Sequence, residues 1–162
     1  MKIASIRSQI LVMPEADPLA GTPSNPNAAR PIVTVRLATD DGTEGIAVTF
    51  YGGAITGALK RAVDDLGALT IGEDPHRVER IAAKLYAAAG GSGPAGMFTL
   101  AMSAIDVALW DIRGKALGLP LWKLLGGARQ RVATYASGAL RRNLGLDQAV
   151  KAAATLKEKG FR

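Results

Sequence analysis

Residue types able to carry acid–base, nucleophilic or metal chemistry are sparse in this chain of 162 residues. There is no cysteine, which removes thiolate chemistry and a disulfide framework together. The one histidine, His76, falls in the expected first turn of a helix and reads as a surface residue. Two carboxylates, Asp106 and Asp111, lie five apart on one long helical pattern, with Lys115 and Lys123 following. Carboxylate oxygens are what a hard divalent cation takes as ligands. The competing use is hydrogen bonding at a helix end or across an interface. A glycine-rich run, GGSGPAG over 90–96, looks superficially like a phosphate loop. It lacks the Gly-Lys-Ser/Thr ending and follows no strand, so it reads as a helix–helix turn.

Charge and composition narrow the function classes further. The formal charge of +6 raises the question of nucleic acid, but the basic residues are scattered and only eight residues are aromatic. Without a helix-turn-helix, zinc or stacking signature, solvated surface charge is the better account, and no nucleic-acid partner is expected. No run approaches the roughly 18 apolar residues of a membrane span. The N-terminal MKIASIRSQILVMPEADP carries charges inside its apolar run and reads as a strand, not a signal peptide. A bacterial-type cytoplasmic protein with no membrane partner is the expectation.

The elements that would position any site are organised around residues 95–127. Met97, Leu100, Ala101, Ala104, Ile105, Ala108, Leu109 and Ile112 follow an unbroken three-four spacing, which predicts a helix with one wide apolar stripe. Ser103, Asp106, Arg113 and Lys115 take the other side; Gly114, Gly118 and Pro120 end the helix. Before it, residues 2–13, 31–39 and 43–50 read as three strands, with Val33, Val35 and Leu37 on one face and Ile46, Val48 and Phe50 on the matching alternation. Asp40-Asp41-Gly42 predicts a tight hairpin between the last two. Residues 14–30 hold four prolines and no periodicity, too long for a plain connection; a lid, a binding loop and an irregular excursion all stay open. Two covering helices follow: one over 54–69, and one with Asp74 as cap and Pro75 at its first position. Residues 130–137 then read as a strand and 146–159 as a helix, one βα unit of a parallel architecture.

Together these residues resemble the enolase superfamily, in its mandelate racemase and muconate-lactonizing branch. The resemblance rests on Ala101-Met102-Ser103-Ala104-Ile105-Asp106-Val107-Ala108-Leu109-Trp110-Asp111, then Gly114-Lys115, Gly118-Leu119-Pro120-Leu121 and Leu124-Leu125-Gly126-Gly127, with Gly72-Glu73-Asp74-Pro75 upstream. It implies an α+β fold: a three-stranded antiparallel meander, then a helical bundle, then the first βα unit of an incomplete β/α barrel. Residues 1–127 would be a capping domain that shapes substrate specificity, and 128–162 the first strand and helix of the barrel. It also implies a Mg²⁺-dependent enzyme that removes the proton next to a carboxylate, because the developing enediolate dianion needs a cation against it. An acid-sugar dehydratase is the expected parent, with a hydroxy-acid racemase, epimerase or cycloisomerase next.

The resemblance also predicts what this chain lacks. The family's catalytic lysines follow a Gly-Phe pair, here Gly160-Phe161, one residue before Arg162. No residue matches a family base or metal ligand, so Asp106 and Asp111 are assigned to the structural signature, and the chain alone is expected to be inactive. Its contribution is expected to be two lid loops, 15–30 and Phe50-Tyr51-Gly52-Gly53. Tyr51 is the leading substrate contact, against a packed aromatic at a strand end. Ser137, Arg141 and Arg142 stand where barrel sites form, and an arginine there would pair with a substrate carboxylate unless it is simply solvated. The expected partners are a carboxylate substrate, the chain's own remaining barrel and further copies in a homo-oligomer. Were the chain to end naturally at Arg162, a non-catalytic domain binding small acids or partners would be the rival.

Overall fold

The computed structural model describes residues 1–17, 21–50, 52–137, 140 and 144–162, and of 14–17 and 22–29 the backbone. The chain divides into two compact units, residues 1–12 with 31–128 and residues 13–30 with 129–162.

A three-stranded sheet, order β1-β2-β3, is formed by Ile3–Asp17 (β1), Thr22–Thr39 (β2) and Glu44–Thr49 (β3), and the first unit is built on its residues up to Val12 and from Pro31. β2 and β3 are antiparallel, with Val35 opposite Ala47 and Arg36 opposite Ile46. Their hairpin is closed by Asp41, whose carboxylate accepts from the Thr39 hydroxyl and the Thr43 N–H, and by Gly42 at φ +88°. Val33, Val35 and Leu37 are buried as the alternation predicts.

On β3 the face is the opposite of the expected one. Gly45, Ala47 and Thr49 point inward, while Ile46, Val48 and Phe50 are exposed. Backbone approach is the reason: a Cβ on Gly45 would lie 2.0 Å from the Ala108 carbonyl oxygen. Only the small-residue face of β3 can meet a helix that close.

One long helix covers that face, and two others pack against it. α1 (Thr56–Ala68) buries Leu59 and Val63, and follows a short 3-10 turn, Gly53–Ile55, that leaves Ile55 exposed. α2 (Val78–Ala89) buries Val78, Ile81 and Leu85. It starts three residues later than Pro75, because Asp74 closes a separate turn; its carboxylate accepts from the His76 N–H at 3.0 Å and its carbonyl from the Arg77 N–H. α3 (Gly96–Ala116) is the predicted long helix, with Ala101, Ala104, Ile105, Ala108, Leu109 and Ile112 buried. It ends on Gly118 at φ +62°, and Pro120 precedes the single turn α4 (Leu121–Leu124).

Two expectations are corrected in the second unit. The described part of 14–30 is not irregular: β1 runs on to Asp17 and β2 begins at Thr22, while residues 18–20 of the expected loop lie outside the described residues. Pairing to a neighbour outweighs the low strand propensity of its prolines and asparagines. Residues 130–137, expected as a strand, form no ladder among the described residues, since a lone extended segment has no neighbour to bond. α5 (Leu146–Glu158) forms as expected and seats Ala152 and Leu156 against Ala136, Leu144 and Phe161.

Candidate functional site

The turn after β3 is anchored onto the start of α1. Gly52 is buried, and a side chain on it would meet the Thr56 Cα at 2.7 Å. The Ile55 N–H donates to the Gly52 carbonyl, and the Thr56 hydroxyl donates to the Gly53 carbonyl at 2.7 Å. Tyr51, the residue singled out there, lies outside the described residues, as do Arg141 and Arg142.

Ser137 is described and exposed, its N–H donating to the Tyr135 carbonyl at 3.0 Å. It belongs to the same compact unit as the far end of the hairpin, residues 13–30. Within residues 129–162 an open concavity of about 1270 Å³ is lined by Ala153, Leu156 and Phe161 together with Lys157, Lys159 and Arg162. It offers cations to an anion and no base. Lys157 stands in the last turn of the helix over 146–158, where a cation also complements the helix dipole.

Three of the remaining candidates, Asp111, Lys115 and Lys123, are committed elsewhere. Asp111 Oδ2 accepts from the Ile46 N–H at 2.8 Å and from Lys115 Nζ at 2.7 Å, and Lys115 Nζ also donates to the Glu44 carbonyl at 2.7 Å. Lys123 lies over the Trp122 ring at 5.4 Å. His76 is exposed. Asp106 is half-buried without a hydrogen-bond partner among the described residues, and burial, followed by the charge of Glu79, raises its carboxyl above the usual range. The structure therefore does not bring Asp106 and Asp111 into one chelating pair.

Mg²⁺ demands several oxygen ligands converging near one point. Among the described residues no three Asp, Glu, His or Cys side chains are so placed. These residues do not fit a Mg²⁺ site. No helix among them is long and apolar enough to cross a membrane.

Comparison with known proteins adds relatives to this geometry. The family model described as "Mandelate racemase / muconate lactonizing enzyme, N-terminal domain" matches residues 11–126. L-talarate/galactarate dehydratase of Salmonella typhimurium is 31% identical over 99% of this chain. D-galactarolactone cycloisomerase of Agrobacterium fabrum is 36% identical over 88% of it. The Salmonella dehydratase crystallised with Mg and L-lyxarohydroxamate superposes with a TM-score of 0.85 at 29% identity, over 98% of this chain and 42% of that one. The chain thus spans 42% of the dehydratase and 37% of the cycloisomerase.

Proposed function

The chain belongs to the mandelate racemase/muconate lactonizing enzyme family, and from that premise we propose that it is the specificity-shaping part of a Mg²⁺-dependent acid-sugar dehydratase. Residues 1–127 form the cap, and 128–162 the first strand and helix of a β/α barrel. The single observation that carries this reading is the grouping of hairpin residues 13–30 with residues 129–162, not with the sheet they extend. That grouping is what a lid over a barrel segment requires.

In this reading the chain's own residues bind, orient and exclude water. The anchored turn presents Tyr51 to the sugar acid. Arg141 or Arg142 holds a carboxylate, with Ser137 donating a hydroxyl hydrogen bond. Closure of the hairpin removes water, which strengthens each ion pair beneath it. Mg²⁺ belongs to the whole enzyme, and none of the described residues holds it. The 162 residues alone are catalytically inactive, since none of them matches a base of the family. Exposed Val132, Leu146 and Val150 favour association of copies.

The test joins residues 1–162 to the part of the Salmonella dehydratase that lies beyond the matched region. The chimera should dehydrate galactarate or talarate with Mg²⁺, and R141A or R142A in it should raise KM more than it lowers kcat. The unfused chain should give no turnover. Turnover by the unfused chain, or a folded chimera inert toward every hexarate and hexonate, overturns the reading. A chimera that isomerises a lactone instead would favour cycloisomerisation, the activity carried in the name of the 36%-identical relative.

A further inference from the structure

The signature residues Asp111 and Lys115 have no part in that function, yet both are fully engaged. β3 is the last strand of the sheet, so one row of its backbone groups has no neighbouring strand. The Thr39 N–H bonds the Thr43 carbonyl at 3.0 Å, which makes the odd-numbered residues of β3 the ones bonded to β2. The N–H and C=O groups of Glu44 and Ile46 therefore turn outward. Asp111 and Lys115 meet them there: the carboxylate accepts from the Ile46 N–H, the ammonium donates to the Glu44 carbonyl, and the two bind each other. Their spacing of four places them on one side of α3, one turn apart. Gly45 lets the helix backbone come close enough for the short Asp111 side chain to reach.

We infer that Asp111 and Lys115 stand in for a fourth strand, shutting the free edge of β3 against strand addition by a second copy of this chain. An open edge here would be hazardous, because Ile46 and Val48 are 56% and 51% exposed on the same strand and would extend an apolar ribbon on pairing. Natural sheets guard such edges with inserted charge or a covering helix. Here one helix supplies both.

The test uses the full 162-residue chain and three variants: D111A, K115M, and either one combined with V48K. Val48 points away from the helices, so a lysine there leaves the core intact while discouraging edge pairing. Amide exchange read by NMR should rise at least tenfold at Ile46 in D111A. Light scattering should show both single variants forming larger, concentration-dependent species than the wild type. Adding V48K should return the mass to the wild-type value while Ile46 stays fast. An unchanged Ile46 exchange rate in D111A, wild-type mass in both single variants, or association that V48K does not suppress overturns the inference.

Discussion

Gly45→Ala is the substitution that most directly probes how close α3 lies to the sheet. The added Cβ would sit 2.0 Å from the Ala108 carbonyl oxygen, 2.7 Å from Ile112 Cγ1 and 2.9 Å from the Ala108 carbonyl carbon. The nearest obstacle is backbone, so no rotamer change relieves it. Restoring an ordinary contact of about 3.5 Å requires the helix to retreat by about 1.5 Å. A gap of about 0.5–1 Å already forfeits a quarter to a half of each dispersion well, and this gap would open under Ala101, Ala104, Ile105 and Ala108 together. The expected cost is about 3 kcal/mol or more, at or beyond the upper end of ordinary overpacking. In a chain of this size that corresponds to about 6–12 °C in Tm.

Urea unfolding followed by far-UV circular dichroism measures the cost, with two controls from the same unit. Gly57, exposed in α1 with nothing within 4 Å of its missing Cβ, should gain about 0.5–1 kcal/mol on mutation to alanine. Gly67 would meet the Ile6 Cδ1 at 1.9 Å, a side-chain end that can turn away, so G67A should cost less than G45A. A G45A chain within about 0.5 kcal/mol of wild type would refute the close-packing account of β3.

Three further outcomes follow from the same packing. Ile105, fully buried in α3, should cost about 2–5 kcal/mol on truncation to alanine, read as a lower urea midpoint at unchanged slope. Thr70 is fully buried, with its hydroxyl donating to the Gly67 carbonyl at 2.7 Å. T70V should lose about 1 kcal/mol in the same assay, because that carbonyl keeps the Thr70 N–H. Asp106 has its folded pKa raised, first by burial and then by Glu79, so stability is lost as pH rises from the ordinary carboxylate value of the unfolded chain to the higher folded one, and is regained as pH falls back through that interval. The stability advantage of D106N over wild type should therefore widen between about pH 4 and about pH 7; a constant difference would contradict the assignment.

The α3 helix was legible in the sequence because helical periodicity is local: Ala101, Ala104, Ile105, Ala108, Leu109 and Ile112 declare one face whatever they pack on. The same holds for Val33, Val35 and Leu37, and for the Asp41-Gly42 turn, where positive φ is a property of one residue. The family signature was equally readable, being a run of residue types at set spacings. Of the proposed site, the sequence alone offered Tyr51, Ser137, Arg141 and Arg142 as candidates, since chemistry resides in residue types.

Tertiary structure decided the rest. Hydrophobicity ranks Ile46 and Val48 above Gly45 and Ala47, so alternation pointed the wrong face of β3 at the core. How near a helix backbone approaches is a distance between segments more than 60 residues apart, and no single position encodes it. Residues 14–30 looked irregular because strand pairing is a partner's contribution, absent from local propensity. Asp111 and Lys115 were read as inert parts of a signature for the same reason. Their partners, Ile46 and Glu44, lie 65 and 71 residues away, and only the folded chain brings a carboxylate and an ammonium to two of the backbone groups that the edge of the sheet leaves open.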